Sequence, residues 1–504
     1  MTGPRLPGGN GAGGSGSLLE RTRHALTRAT EVYRGTEAGY RLAEMANRLD
    51  EPLRVAVAGR IKAGKSTLLN ALIGEQLAPT DAGECTRIVT WYRDGHTYRV
   101  TARLPDGSSR QLRFEREDKA IEIDLGGLTP EQVKELDVTW PSQALRTVTL
   151  IDTPGIGSLS EQVARRTWDL LAAEDEETPA DAVLYLMRHL HASDMDFLRA
   201  FHDTEVSQPN PVNAIGVLSR ADEIGVCRLD AMASARRIAN RMATDPNVRR
   251  VVQTVVPVAG LLAETAGTLT ETEVAQLRKV AALPVREAES LLLSADRFTN
   301  LMPELGLTEL ERASLLGRFG LFGVRLASTL LRREVASTAT ELAAQLAERS
   351  GIDELREVLN SLFLQRREVL KSRSALLALD ALTRTQPRPG SEIVAAEVEE
   401  IISSAHPFRE LRVLSSLRAG WVTGKPEVLA DLEKLIGGAG SAVHQRLELP
   451  PDADKATLTA AASEALARWQ RRAQNPMTSH ELSIAAQVAV RSCEGMLAEL
   501  GNHR

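Results

Sequence analysis

One eight-residue stretch constrains this chain more than any other feature of its sequence. Residues 59–66 read GRIKAGKS and fit the pattern G-x-x-x-x-G-K-S/T in full. They follow the short apolar run of residues 53–58 and open a helical pattern over residues 66–73. Glycines at both ends let the backbone curl so that its N–H groups converge on phosphate oxygens. The stretch therefore predicts a strand–loop–helix unit that binds the phosphates of a nucleotide.

The residues of this loop have distinct expected roles. Lys65 is predicted to reach the β- and γ-phosphates, and the Ser66 hydroxyl is predicted to bind Mg²⁺. A chance match is disfavoured because the required strand precedes the loop and the required helix follows it. The positions predicted to contact the phosphates are Gly59, Ala63, Gly64, Lys65, Ser66 and Thr67.

A carboxylate and a threonine complete the predicted metal site. Asp152 follows the apolar run of residues 148–151, where a carboxylate can hold Mg²⁺ through its water shell. Gly155 is expected to sense the γ-phosphate through its backbone N–H. Thr86 lies between the two motifs, where a mobile loop would bring its hydroxyl or carbonyl onto the metal. The predicted metal ligands are therefore Ser66, Thr86 and, through water, Asp152.

A third motif predicts which base is bound. Asp222 follows the apolar run of residues 214–218, and its carboxylate can accept both the N1–H and N2–H₂ donors of guanine. This favours GTP and GDP over ATP. The Arg220 side chain is expected to cover the base, and the turn after residues 251–258 is expected to give N–H groups to guanine O6. The predicted base-binding positions are Ser219, Arg220, Asp222, Ala259 and Gly260.

The order of apolar runs and helical patterns predicts the fold class. Short buried runs separated by helices predict an α/β P-loop domain, with a mostly parallel sheet and flanking helices. After about residue 270 nearly all of the sequence has helical periodicity, which predicts a long all-α bundle. The predicted organisation is a disordered tail (residues 1–17), a helix packing on the bundle (18–50), the nucleotide-binding domain (51–268) and a helical region (269–504).

Composition and charge exclude several classes of protein. The net charge of −6 gives no general attraction to nucleic acid or anionic lipid, so any such contact needs a local basic patch. Three cysteines without a CxxC pair predict a reducing compartment. The sequence has no signal pattern and no uninterrupted apolar run of about 18 residues. We therefore predict a cytoplasmic protein with no transmembrane segment and no nucleic-acid partner.

The motifs, in this order and spacing, resemble the G1 to G5 series of translation-factor-type GTPases. Long helices before and after such a domain are similar to the neck and trunk of the dynamin superfamily. The stretches KAGKSTLLNAL (residues 62–72) and RFGL (318–321) resemble bacterial dynamin-like proteins, most of all the isoniazid-inducible group of actinobacteria. The resemblance implies GTP hydrolysis with Mg²⁺, coupled to self-assembly and to peripheral remodelling or maintenance of the cell membrane at its inner face.

Two departures from the family pattern bear on catalysis. Eukaryotic dynamins have Gln-Ser where this chain has Ile61 and Lys62. Ile61 cannot polarise water, whereas Lys62 is expected to supply a positive charge to the β–γ bridge, like an arginine finger in cis. Since Ser219 and Arg220 also replace the usual Asn/Thr-Lys, hydrolysis is expected to be slow or to need a partner. The predicted catalytic set is Lys62, Lys65 and Thr86.

Two loops of the helical region are candidates for membrane contact, because each places cations at a helix break. One runs from Arg384 to Pro389. The other runs from Arg418 to Lys425 and places Trp421, a residue that favours the membrane interface, between two cations. The alternative for both loops is simple helix capping by basic residues, with Trp421 packed into the end of the bundle.

Two other functions stay open on the sequence. One is a GTP-binding subunit that hydrolyses little and works with a related dynamin-like partner. The other is a GTPase that acts on ribosomes or RNA, which the acidic balance and the lack of a basic C-terminal module disfavour. Turnover separates the first of these from a self-sufficient membrane GTPase, and co-sedimentation with lipid or RNA separates the second.

Overall fold

The computed structural model describes residues 17–79, 87–117, 120–155, 180–188, 194, 195, 198, 213–301 and 305–502. The chain divides into two compact units. The first combines the described parts of Met1–Glu51 with Glu368–Arg409. The second combines those of Pro52–Glu174 and Thr178–Arg367 with those of Glu410–Arg504.

Helices account for most of the described chain outside one sheet. In chain order they are α1 (Leu18–Val32), α2 (Glu37–Arg48), α3 (Lys65–Ile73), α4 (Ala231–Thr244), α5 (Pro246–Arg249), α6 (Gly260–Thr268), α7 (Glu271–Ala282), α8 (Val285–Leu291), α9 (Ala295–Asn300), α10 (Glu309–Arg332), α11 (Ala339–Ser350), α12 (Ile352–Leu362), α13 (Arg367–Thr385), α14 (Ser391–Ser404), α15 (His406–Ala419), α16 (Pro426–Leu435), α17 (Val443–Arg446), α18 (Lys455–Gln474) and α19 (His480–Asn502).

The second unit is built on a ten-stranded sheet. Its strands are β1 (Leu53–Gly59), β2 (Val89–Asp94), β3 (Arg99–Arg103), β4 (Ser109–Glu117), β5 (Ala120–Asp124), β6 (Glu135–Trp140), β7 (Val148–Asp152), β8 (Ala182–Met187), β9 (Ala214–Ser219) and β10 (Val255–Val258). The spatial order is β10-β9-β8-β1-β7-β2-β6-β3-β4-β5, and the pairs from β10 to β7 are parallel. Antiparallel pairs begin where β2 meets β7. The predicted fold class, a mostly parallel sheet with flanking helices and a long helical region, is confirmed.

The first unit joins the N-terminal helices to the segment Glu368–Arg409. The Tyr33 hydroxyl, at the end of α1, donates to the Gln386 carbonyl at 2.8 Å. Lys371 in α13 donates to the Leu49 carbonyl at 3.1 Å. These bonds tie residues far apart in sequence, so the helices before the sheet are held by helices that come long after it.

The prediction of a single helix over residues 18–50 is wrong in one respect, because two helices occupy this stretch. Gly35 has a φ of 77°, a left-handed conformation that glycine adopts readily. Thr36 then caps α2 by accepting a hydrogen bond from the Gly39 N–H at 3.1 Å. The helical spacing of apolar residues continues across the break, which is why the pattern alone did not reveal it.

The hydrophobic core of the second unit extends from the sheet into α10. Ala56 and Ile151 of the central strands share one buried cluster with Phe319 and Phe322 of α10. Of the helices in the described residues, α10 is the one whose length and mean hydropathy (1.2) would suit a membrane span. Half (50%) of the most apolar 18-residue segment of this helix is buried in the protein, as in the core helix of a globular unit.

A shared carboxylate joins three segments of the second unit. Glu433 in α16 accepts from Arg418 of α15 at 3.0 Å and from Arg249, at the end of α5, at 2.6 Å. Burial works to raise the pKa of Glu433, but the two guanidinium groups outweigh it and hold this pKa below its usual range. Removing the carboxylate would leave the buried Arg418 charge without compensation.

Glu433→Gln should therefore lower the free energy of unfolding by about 3 kcal/mol at pH 7, measured by chemical denaturation. The folded-state pKa of Glu433 is lowered, so its contribution is full above the unfolded-state pKa and is lost as pH falls through the folded-state pKa. The difference between variant and parent should thus shrink below about pH 4.

The matched control for Glu433→Gln is Glu448→Gln, which breaks an exposed ion pair with Lys434. Exposed pairs contribute little, so this change should cost less than about 1 kcal/mol. An equal loss in both variants would contradict the role assigned to Glu433.

Candidate functional site

The loop of residues 59–66 connects β1 to α3. Its backbone is left-handed at Lys62 (φ 60°) and at Gly64 (φ 93°), and Gly59 has a φ of 148°. A β-carbon at Gly59 would lie 2.6 Å from the Leu186 carbonyl oxygen on β8. Glycine is required there because the two strands approach too closely for any side chain. The structure thus forms the strand–loop–helix unit that the sequence predicts.

Lys65, the first residue of α3, closes this loop. Its Nζ donates to the carbonyl oxygens of Gly59 and Arg60, both at 3.3 Å. Burial lowers the pKa of Lys65, and the Asp152 carboxylate opposes that shift. The ammonium group is therefore held inside the loop by weak contacts that phosphate oxygens can replace.

Asp152 ends β7 and meets the start of α3. The Ser66 hydroxyl donates to its Oδ2 at 2.9 Å, and Asp152 is only 9% exposed. Its Oδ1 is buried and has no hydrogen-bond partner among the described residues. Burial raises the pKa of Asp152, against the pull of Lys65 and of the Ser66 bond. A hydroxyl and a carboxylate with one unpartnered oxygen are hard ligands that fit Mg²⁺.

The segment after β7 lies against the phosphate loop. A β-carbon at Gly155 would lie 2.6 Å from the Ile61 Cγ1 and 2.9 Å from the Ile61 N. The structure therefore brings Gly155 to the loop, and its role as a γ-phosphate sensor stays a prediction. Thr86, the third predicted metal ligand, lies outside the described residues.

A cavity of about 140 Å³ opens beside the loop. Several residues predicted to bind the nucleotide share its wall, namely Ala63, Gly64, Thr67, Ser219, Arg220, Asp222 and Gly260. Sequence reasoning missed the apolar part of the wall, which comes from Leu186, Val217 and Leu261. An apolar wall together with one buried carboxylate, that of Asp222, suits a base that has two adjacent N–H donors.

Arg220 connects the base-binding loop to the phosphate loop. It has a left-handed φ of 52°. Its Nη2 donates to the Lys62 carbonyl at 3.1 Å, and its Nη1 donates to Glu223 at 2.7 Å. Asp222 beside it is 9% exposed, and burial raises the pKa of its carboxyl group. The Arg220 side chain therefore forms part of the pocket wall and fixes the distance between two loops.

The predicted role of Ala259 is wrong. Its N–H donates to the Ser350 carbonyl at 2.8 Å and is therefore engaged away from the cavity. The end of α11 can approach this closely because the next residue is Gly351, where a β-carbon would lie 2.2 Å from the Pro257 carbonyl oxygen. Gly260, which lines the cavity, stays in the predicted set.

Asn70 of α3 is a structural residue of the site that sequence reasoning missed. Its side-chain amide donates to the Ala78 carbonyl at 3.0 Å and to Glu264 of α6 at 2.9 Å. Its side-chain oxygen accepts from the Leu77 N–H at 2.9 Å. Asn70 thus ties the phosphate-loop helix to two neighbouring segments. The available signal was a polar residue inside the apolar, buried stretch of α3.

The two loops proposed for membrane contact differ in the structure. The prediction that Arg418 is a membrane-facing cation is wrong, because Arg418 is buried and paired with Glu433. Trp421 in the same loop is 49% exposed. In the other loop, Arg384 pairs with Asp380 at 2.8 Å, and Arg388 lies over the Tyr33 ring at 5.9 Å. The cations of the loop from Arg384 to Pro389 are therefore engaged within the first unit.

The phosphate loop, the buried Asp152 and Asp222, which is predicted to bind the base, lie at the carboxyl ends of the parallel strands β1, β7 and β9. Ligands of open α/β sheets bind at this edge. This combination of fold and site defines a P-loop GTPase domain.

Comparison with known proteins agrees with this class and identifies the family. Residues 55–221 match the dynamin family. The chain is 41% identical, over 97% of its own length and 100% of the relative's, to the isoniazid-induced protein IniC of Mycobacterium tuberculosis. It is 28% identical to the isoniazid-induced protein IniA of the same species, over 60% of this chain and 43% of the relative. The chain belongs to the dynamin family, in its actinobacterial isoniazid-induced group, and is a dynamin-like GTPase that binds GTP and GDP.

A solved structure of an oligomerised bacterial dynamin pair is also similar to this chain. It shares 13% sequence identity, over 96% of this chain and 76% of that one, with a TM-score of 0.30. The resemblance to bacterial dynamin-like proteins, expected from the sequence, is confirmed by the family match and by the IniC relationship.

Asp152→Asn should raise the melting temperature of the ligand-free protein, because it removes a buried carboxylate whose raised pKa marks its charged form as unfavourable. It should also abolish the extra thermal stabilisation that MgCl₂ gives to the GTP-bound protein. Melting curves with GTP and MgCl₂, and with GTP and EDTA, measure both effects. Asp124→Asn, at an exposed position, is the control. Persistence of the Mg²⁺ effect in Asp152→Asn would contradict the assignment.

Proposed function

We propose that this GTPase hydrolyses GTP with Mg²⁺ and couples the nucleotide cycle to self-assembly and to remodelling or maintenance of the cell membrane, from a peripheral position at its inner face. The observation that carries the proposal is the pair of Ser66 and Asp152, which joins a hydroxyl and a buried carboxylate beside the phosphate loop. Membership of the dynamin family supports the GTPase activity. The exposed Trp421 side chain supports the membrane role.

The loop residues have separate tasks in the proposed reaction. Ser66 and, through water, Asp152 would hold Mg²⁺, which when bound neutralises phosphate charge. Lys65 would exchange the carbonyl oxygens of the loop for phosphate oxygens. Lys62 is exposed, and its carbonyl is held by Arg220, so its backbone is fixed while its ammonium group extends toward solvent. Lys62 is the proposed source of a positive charge that compensates the negative charge developing at the β–γ bridge.

Lys62→Ala is expected to lower GTP turnover about tenfold and to change GTP affinity less than about threefold. The physical reason is that charge developing only in the transition state is stabilised selectively. Phosphate release gives the turnover, and titration with a non-hydrolysable GTP analogue gives the affinity. Lys65→Ala is the negative control, since this variant should lose both GTP turnover and GTP affinity. A parallel loss of affinity and turnover in Lys62→Ala would remove Lys62 from the catalytic set.

A second candidate function is a weakly hydrolysing GTP-binding subunit that works with a related dynamin-like protein. The observation that favours it is Ile61, an apolar side chain that is 48% exposed and lies against Gly155. No polar group is therefore offered at this loop position to orient the attacking water. IniA and IniC occur in one species and are both similar to this chain, which supports a partner from the same family.

GTP turnover in three mixtures separates the two functions. The purified protein is assayed alone, with anionic liposomes, and with a related dynamin-like protein from the same cell. Turnover that rises on liposomes supports a self-sufficient membrane GTPase. GTP binding without turnover until the partner is added supports the subunit.

The membrane contact is proposed to be a surface made of Trp421 and Met477, here called the Trp421 surface. Their exposed fractions are 49% and 90%. Leu482, in the first turn of α19, packs at the Trp421 loop, since a β-carbon at Gly424 would lie 3.4 Å from its Cδ2. The loop before α16 and the turn before α19 are therefore neighbours. Exposed Lys425 gives this surface a cation that attracts anionic lipid.

The double variant Trp421→Ala, Met477→Ala should reduce flotation with anionic liposomes at least about threefold, because two side chains that insert at the lipid interface are lost. Tyr40→Ala is the matched control, since Tyr40 is an aromatic residue of the first unit that is 73% exposed. Flotation that is unchanged in the double variant, or reduced equally by Tyr40→Ala, would rule out the Trp421 surface.

A further inference from the structure

The helix α10 contains a break that the proposed function does not use. Gly320 lies within this 24-residue helix but has φ 63° and ψ 172°. Residues with a side chain almost never adopt this combination of angles, which is essentially restricted to glycine. The break therefore depends on the identity of one residue, the glycine of the RFGL stretch at residues 318–321.

The break lies next to two residues of the cavity predicted to bind the base. A β-carbon at Gly320 would lie 3.8 Å from the Asp222 Oδ2 and 3.5 Å from the Leu261 Cδ2. Asp222 and Leu261 both line the cavity. Gly320 thus lies next to the carboxylate predicted to accept the guanine donors and next to one apolar residue of the pocket wall.

Both halves of α10 are anchored next to the break. Before it, the Arg318 side chain donates to Glu273 at 2.8 Å and to the Thr268 hydroxyl at 2.8 Å, at the end of α6. After it, the Arg325 guanidinium donates to the Cys227 carbonyl and, at 2.5 Å, to the Leu292 carbonyl. Cys227 belongs to the same loop as Asp222. The second half of α10 therefore holds the far end of the base-binding loop.

The base-binding loop needs such a support. Three of its residues that are not glycine, Arg220, Val226 and Cys227, have positive φ values of 52°, 61° and 56°. Conformations of this kind persist only where the surroundings enforce them. Arg220 is held by the Lys62 carbonyl, and the Cys227 end is held by Arg325. If α10 were straight, Arg325 would have to shift relative to Asp222.

We propose that Gly320 is a positioning residue for guanine recognition. The break it permits lets the second half of α10 brace the loop of residues 219–227, and so holds the Asp222 carboxylate against the edge of the base. Binding of guanine and the shape of α10 are then coupled. This inference rests on GTP being the nucleotide of the pocket, and it adds a residue remote from the sequence motifs that determines base specificity.

Affinities for GDP and for inosine diphosphate, measured by calorimetry on the full chain, test the proposal. Inosine diphosphate lacks the 2-amino group, so the ratio of the two affinities reports contact with Asp222 and not contact with the phosphates. Gly320→Ala should lower this ratio at least about fivefold, because alanine does not tolerate the broken backbone and the loop shifts. General destabilisation of the domain would weaken the binding of both nucleotides equally and leave the ratio of their affinities unchanged.

Gly317→Ala is the matched control, since Gly317 is exposed in the first half of the same helix and a β-carbon there meets no heavy atom within 4 Å. Its affinity ratio should equal that of the parent. Should Gly320→Ala fail to fold, Arg325→Gln, which releases the Cys227 carbonyl, should lower the ratio in the same direction.

If folded Gly320→Ala has the same ratio of GDP to inosine diphosphate affinity as the parent, the positioning role is overturned while guanine recognition stands. If only Arg325→Gln folds, the same result in that variant overturns the role. A parent protein that does not distinguish the two nucleotides would instead overturn base recognition by Asp222, and the inference with it.

Discussion

Burial of Asp152 beside Lys65 is the interaction on which the rest of the nucleotide site depends. Burial raises the pKa of the carboxylate and lowers the pKa of the ammonium group, so each charged form is held against its preference for water. The parallel pairing of β1 and β7, which sets Val57 opposite Asp152, enforces this placement. The apolar core around the strands offsets its cost. A ligand that brings phosphate charge and a divalent cation gives both groups the partners that burial denies them.

The same sheet edge explains how distant motifs form one site. Parallel register sets Gly59 opposite Leu186 and Val258 opposite Ser219, so each motif begins where its strand ends, at a common edge. Arg220 then closes the gap between two of these strand ends through the Lys62 carbonyl. The pocket is therefore a consequence of strand order.

The sequence predicted the parts of this site that depend on local pattern. The strand–loop–helix unit needs only its glycines, its lysine and the preceding apolar run, and the position of Asp152 follows from a buried strand. The errors concern partners that are remote in sequence. Nothing near Ala259 indicates that the Ser350 carbonyl takes its N–H, and nothing near Arg418 indicates that Glu433 buries it. A periodic pattern likewise continues through Gly35, because a helix break changes direction without changing which residues are apolar.

Two contacts connect strands β9 and β10 to helices that follow them in the second unit, and they act at opposite ends of these strands. Gly320 and Arg325 join α10 to the loop after β9, whereas Arg249, just before β10, reaches Glu433 in α16. Strands β9 and β10 are parallel neighbours, so the first contact lies at their carboxyl ends, beside the pocket, and the second lies at their opposite ends. The contact that bears on the pocket is therefore the one from α10, whereas Glu433 stabilises the sheet from its other edge.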